Sequence, residues 1–164
     1  MIYLDADACP VKEYVYRVAA RYNVPLKVVA NGMIRIPPTV DLDAEAVVVP
    51  GSPDAADDWI AERATRGDIV LTADIPLASR VLESGAICMD FRGSEFSPTR
   101  IGDAVAARDL NAHLRSVGVI TGGPAAFTQK DKSAFASKLD AVVSRARREA
   151  ERAALLDRAR SGKS

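Results

Sequence analysis

The sequence predicts an α/β fold of three layers, α/β/α, built on a mainly parallel central sheet. Short apolar runs recur along the chain, and helical segments of about ten to thirteen residues separate most of them, which is the spacing of right-handed parallel crossovers. The runs are also nearly continuous in apolar character, as strands covered on both faces require.

Ile2 to Asp5 form the first strand, and a helix follows from about Pro10, where proline suits the first turn and Val11, Tyr14, Val15, Val18, Ala19 and Tyr22 recur at helical spacing. Asn23 is its expected stop. Leu26 to Ala30 form a second strand before the Asn31-Gly32 turn, and Ala46 to Val49 a third, bounded by Pro50-Gly51. Ser52 as cap and Pro53 in the first turn open a helix expected to run through Trp59 and Ile60 to Gly67. Strand Ile69 to Thr72, a helix from Pro76 to Gly85 and strand Ala86 to Met89 complete the alternation. A fourth helix from Pro98 carries Ile101, Val105, Leu110 and Leu114 and ends near Gly118. The last, from about Lys130, docks through Phe135, Leu139, Val142 and Val143. After Arg145 its apolar positions are mostly alanine, so residues 146–164 are expected to form a basic helical extension, projecting or frayed, beyond a domain of residues 1–145.

With 164 residues, 48% hydrophobic and 27% charged, the chain is long enough for one well-buried core, which excludes a disordered protein. No window approaches the roughly 20 apolar residues of a membrane span, and no basic leader precedes the first strand, so no membrane association and a cytoplasmic location are expected. Cys9 and Cys88 lie far apart without Cys-x-x-Cys spacing, which predicts reduced thiols. Charge is segregated: residues 1–127 hold 12 Lys+Arg against 17 Asp+Glu, and residues 128–164 hold 10 against 5.

The acids mark the chemistry. In a parallel sheet, ligands bind at the carboxyl edge of the strands, where strand order reverses. Asp5 and Asp7 end the first strand, Asp74 follows the fourth, and Asp54, Asp57 and Asp58 open the helix after the third. If strands one and four are neighbours, these acids converge. Two carboxylates 4 Å apart repel by about 4 kcal/mol at an effective dielectric near 20, so such a cluster calls for a cation or raised pKa values. An all-oxygen site without His or Cys favours Mg²⁺ or Mn²⁺, and phosphoryl hydrolysis follows as the reaction class.

Blander roles compete at each position. Asp54 suits the first helical turn, Asp7 or Asp74 can cap a helix, and Asp5 can cap a helix or a loop. At 100° per residue, Asp57 flanks the buried face set by Ala56, Trp59, Ile60 and Ala64, whereas Asp58 points nearly opposite. Cys9 beside a helix start and His113 in a polar stretch are more ordinary as a buried thiol and a solvated ring. Arg35, Arg80, Arg92 and the basic last helix are candidates for phosphate or nucleic-acid binding, and the 5% aromatic content argues against a base-stacking platform.

Several stretches closely resemble the bacterial YaiI/YqxD family, a group related to PIN-like domains. They are Asp5-Ala6-Asp7-Ala8-Cys9-Pro10-Val11-Lys12, Asp54-Ala55-Ala56-Asp57-Asp58-Trp59-Ile60, the segment from Gly67 through Leu71-Thr72-Ala73-Asp74 to Ala78, Arg108-Asp109-Leu110 and Gly122-Gly123-Pro124. The resemblance implies a PIN-like fold and, by analogy with PIN nucleases, a metal-binding acidic pocket. Carried over by motif, Asp5, Asp57 and Asp74 are the implied metal ligands, and Asp90 is a loose match to a further acid. The expected activity is Mg²⁺- or Mn²⁺-dependent hydrolysis of RNA phosphodiesters, with Asp5, Asp7, Asp57 and Asp74 as catalytic residues and Asp7 orienting the water. Two alternatives stand beside it: a non-catalytic module that binds nucleic acid or a partner, and a haloacid-dehalogenase-type phosphatase with Asp5 as nucleophile.

Overall fold

Five short strands and five helices are laid down in the order expected of parallel crossovers in a computed structural model, which describes residues 1–38, 41–123 and 125–161. The elements are β1 (Ile2–Asp5), α1 (Lys12–Tyr22), β2 (Leu26–Ala30), β3 (Ala44–Val48), α2 (Ala55–Arg63), β4 (Ile69–Leu71), α3 (Ile75–Glu83), β5 (Ile87–Met89), α4 (Pro98–Ser116) and α5 (Gln129–Ser161). The strands pair in parallel in the order β3-β2-β1-β4-β5. The chain thus steps outward from β1 to β3, returns to the other side of β1 and steps outward again. That reversal places a crevice at the carboxyl ends of β1 and β4.

Alternate strand residues face opposite layers. Ile2, Leu4, Leu26, Val28, Ile69, Leu71 and Met89 pack with Val15 and Val18 of α1 and with Phe135, Leu139, Val142 and Val143 of α5. Tyr3, Val29, Val70 and Cys88 pack on the other face with Ala56 and Ile60 of α2 and Leu77, Ala78 and Val81 of α3. The result is a three-layer α/β/α arrangement, with every docking residue expected of the last helix in the core.

Several boundaries differ from the sequence expectation. Pro10 and Val11 form a turn before α1, whose first turn is held by the Val11 carbonyl accepting from the Tyr14 and Val15 amides at 3.0 and 3.2 Å. Asn23 does end α1, in the left-handed conformation at φ 49°. Ser52 contributes its carbonyl to the Ala55 amide at 3.0 Å, and Asp54 rather than Ser52 holds the N-cap position of α2. That helix stops at Arg63, short of Gly67. The Asp68 carboxylate accepts from both the backbone amide and the hydroxyl of Thr65 at 3.0 Å, which folds residues 65–68 into a turn that Gly67 completes at φ 93°.

α4 is capped by Ser97, whose hydroxyl oxygen accepts from the Arg100 amide at 3.2 Å, yet it buries none of its residues. Val105 and Leu110 are 44% and 57% exposed. α5 crosses residue 145 without a break. Arg145 pairs with Glu95 and Arg147 donates to the Tyr22 carbonyl at 3.1 Å, and the helix continues, solvent-exposed, to Ser161. Pro124 of the Gly-Gly-Pro loop and residues 162–164 of the expected extension lie outside the described residues. No helix among the described residues is long and apolar enough to cross a membrane.

Candidate functional site

Direct pairing of β1 with β4 sets Asp5, the last residue of β1, beside the segment Thr72-Ala73-Asp74 that leaves β4. Thr72 joins them. It is fully buried, and its hydroxyl donates to Asp5 Oδ2 at 2.7 Å while its oxygen accepts the Asp74 backbone amide at 3.0 Å. One small side chain therefore fixes both acid-bearing strand ends. Sequence reasoning missed it, although a threonine between an apolar strand and an acid was the available signal.

Asp74 caps α3: its Oδ1 accepts from the Leu77 amide at 2.8 Å, with Pro76 in the first turn. Asp57, half-buried on α2, accepts no hydrogen bond from a described residue. Its carboxyl is pushed up to about 6, first by burial, then by the charges of Asp5, Asp74, Asp54 and Asp58. Asp5 is also raised, again mainly by burial, with the Thr72 hydroxyl opposing and the charges of Asp7 and Asp74 adding. The three acids thus share one electrostatic neighbourhood. They do not close into a ready ion shell, since no three acid, His or Cys groups among the described residues stand close enough to hold a metal. Coulombic repulsion reaches further than ligation, and both carboxylates already accept from protein donors, Asp5 from the Thr72 hydroxyl and the Asp7 amide and Asp74 from the Leu77 amide.

Asp7 is exposed and does not cap α1. Its carboxylate accepts the Asn31 amide at 3.0 and 3.3 Å, which binds the β1 loop to the end of β2, and Asn31 Nδ2 donates to the Pro53 carbonyl at 3.0 Å. Asn31 Oδ1 is buried and finds no partner among the described residues. Asp58 is exposed and paired with Arg80 at 2.6 Å. Arg92 stacks on Phe127 at 4.5 Å and donates to the Ala125 carbonyl at 3.0 Å, tying its loop to the approach of α5. Asp90 accepts from the amides of Arg92 and Ser94 and serves its own turn. Arg35 is exposed and forms no ion pair with a described residue. The Cys9 thiol is buried and pushed up to about 12 by that burial, the environment of an ordinary structural cysteine. His113 is exposed on α4.

Capping and charge separate at Asp74. Asp74→Ala is expected to lower stability by about 1 kcal/mol through loss of the cap, whereas Asp74→Asn keeps an oxygen acceptor and stays within about 0.5 kcal/mol of wild type. Thermal denaturation of both variants in EDTA checks this.

Residues 3–145 match the family described as "Uncharacterized BCR, YaiI/YqxD family". Among curated relatives, a UPF0178 protein of Caulobacter sp. (strain K31) is 52% identical over 148 residues, covering 90% of this chain and 97% of its own. Others are a UPF0178 protein of Rhodopseudomonas palustris (strain BisB18), 50% identical over 90% of this chain and 94% of its own, and one of Brucella suis, 53% identical over 90% and 91%. No solved structure matches. A match over most of the chain, from the first strand through the docked part of α5, with half the residues identical in these relatives, makes the chain a member of the YaiI/YqxD family.

Proposed function

We propose that Asp5, Asp57 and Asp74 hold a Mg²⁺ or Mn²⁺ ion at the β1–β4 crevice and that the pocket hydrolyses phosphodiester bonds in RNA. The supporting observation is Asp57: a half-buried carboxyl without a hydrogen-bond donor, lifted to about 6 by burial and by Asp5 and Asp74. Either a proton or a cation relieves that repulsion, and an all-oxygen donor set suits a hard divalent ion. Such an ion, when bound, supplies water activation and neutralises charge on a phosphodiester.

The chain's own residues set the terms. Thr72 orients Asp5 by donating to Oδ2, with the Asp7 backbone amide as a second donor to the same carboxylate, and the α3 amide orients Asp74 by occupying Oδ1. Asp57, with neither oxygen engaged, is the adaptable member. Asp7, fixed by Asn31, borders the pocket and takes the water-orienting role. Arg35 is the freest phosphate ligand of the three arginines, because Arg80 and Arg92 already have partners. A cytoplasmic setting belongs to this reading and agrees with two buried free thiols. The PIN-like resemblance supports the nuclease class as analogy at the level of fold.

The test is cleavage of a single-stranded oligoribonucleotide in Mn²⁺. Wild type is expected to cut, with Asp5→Asn reduced at least a hundredfold; equal rates in both, or no cleavage by either, would contradict the reading. The exposed, Arg-rich outer half of α5 favours a second, non-catalytic reading, in which RNA binding persists without Asp74 and disappears on truncation after Arg145. The phosphatase alternative gains no support. Asp68, the acid it would recruit, lies at the opposite end of β4, paired with the Met1 amino group at 3.1 Å.

A further inference from the structure

A cleft of about 680 Å³ opens between the start of α1, the segment after β2 and the start of α5. Gln129 Nε2 donates to the Tyr14 hydroxyl near the start of α1, and Asp140 meets Arg21 and Tyr22 near its end, so α1 and α5 run side by side in the same direction. Both helix N-termini therefore face the carboxyl edge of the sheet, where their dipoles favour an anion. The cleft walls carry Lys12, Arg35 and Lys132, none of which forms an ion pair with a described residue, against one carboxylate, Glu13. Tyr16 is also in the wall. It is 6% exposed, and its hydroxyl is buried with no hydrogen-bond partner among the described residues.

A buried orphan hydroxyl is destabilising, and three cations without ion-pair partners around one hollow repel one another, so the protein carries here a deficit that an anionic oxygen ligand offsets. We propose that this cleft is a phosphate-binding subsite for a single RNA strand: Lys12, Arg35 and Lys132 take backbone phosphates, and the Tyr16 hydroxyl donates to a phosphate oxygen. The choice of RNA rests on the reading of the acidic pocket above; the anion chemistry does not. Both features lie at the carboxyl edge of the sheet, so a strand held in the cleft extends past the acids.

Binding is measured on the full chain in EDTA, where cleavage plays no part, with a labelled oligoribonucleotide and, separately, inorganic pyrophosphate. The variant Lys12→Gln/Arg35→Gln/Lys132→Gln is expected to weaken oligonucleotide binding at least tenfold and to flatten the log Kd against log salt slope by about 2, from roughly 0.7 per phosphate contact on single strands. Arg152→Gln/Arg158→Gln, on the outer half of α5, is expected to bind as wild type. Tyr16→Phe is expected to bind RNA about threefold more weakly while melting at or above the wild-type temperature, a combination that a packing role for the hydroxyl does not give. An unchanged cleft variant, or a loss confined to the α5 variant, would overturn the subsite. Pyrophosphate binding without oligonucleotide binding would overturn its assignment to a strand. Cleft-dependent binding without Mn²⁺-dependent cleavage would remove the hydrolase reading and leave the subsite standing.

Discussion

Thr72→Val is expected to destabilise the protein by about 2–3 kcal/mol, lowering the melting temperature by roughly 4–9 °C for a chain of this size. Valine fills nearly the same space, so the loss comes from hydrogen bonding. Without the hydroxyl, Asp5 Oδ2 and the Asp74 amide lose their partners at the end of two buried strands. The same change removes the interaction that holds the Asp5 carboxyl down, so Asp5 rises further above its ordinary value. Thr72→Ser restores both hydrogen bonds and forfeits only a buried methyl group, about 1 kcal/mol. Denaturant unfolding of the two variants separates the mechanisms: equal losses would mean that packing, not the Asp5–Thr72–Asp74 linkage, is what Thr72 provides.

Asp57→Asn is expected to act in opposite directions on the ion-free and ion-bound protein. A carboxyl whose pKa is raised on folding binds protons more tightly in the native state. Its contribution to stability is fully present below the unfolded value, near 4, and is lost as pH rises through about 6. Ion-free wild type should therefore gain stability on acidification from pH 7 to about 4.5, with Asp5, also raised, contributing in the same sense. Solvent screening at a half-exposed carboxylate limits the Asp57 share to about 1 kcal/mol. Asp57→Asn should show that gain already at pH 7 and a correspondingly flatter pH profile. If the pocket hydrolyses RNA as proposed, the variant should lose at least a hundredfold in Mn²⁺, because the proposed ligand with no hydrogen bond from a described residue is gone. A pH profile unchanged by the substitution would detach Asp57 from the acidic cluster.

Much of this site was legible because strand-end acids follow from topology alone. Once the crossovers are recognised, Asp5 and Asp74 fall on one edge, and helical geometry separates Asp57 from Asp58, which the structure places in an exposed pair with Arg80. What pattern reading missed was tertiary. Nothing in the spacing says that Thr72 turns toward Asp5, or that Asp7 takes the Asn31 amide in place of a helix cap, because both bonds join segments distant in sequence. The expected end of α2 at Gly67 failed for a local reason: glycine signals a turn without fixing where the turn starts, and Asp68 draws it back to Thr65. In α4, helical periodicity correctly gave a helix, but burial depends on a partner surface, and Leu110 stays 57% exposed. Arg92 looked free because its stacking on Phe127 spans 35 positions of sequence.

Whether the proposed cation site unites the carboxylates of β1, α2 and the start of α3 is tested by calorimetric titration of Mn²⁺ into wild type, Asp57→Asn and Asp74→Asn at pH 7.5. One saturable site is expected in wild type, at least tenfold weaker in each variant although both remain folded. Equal affinity in all three proteins, or no saturable binding to wild type, would contradict it.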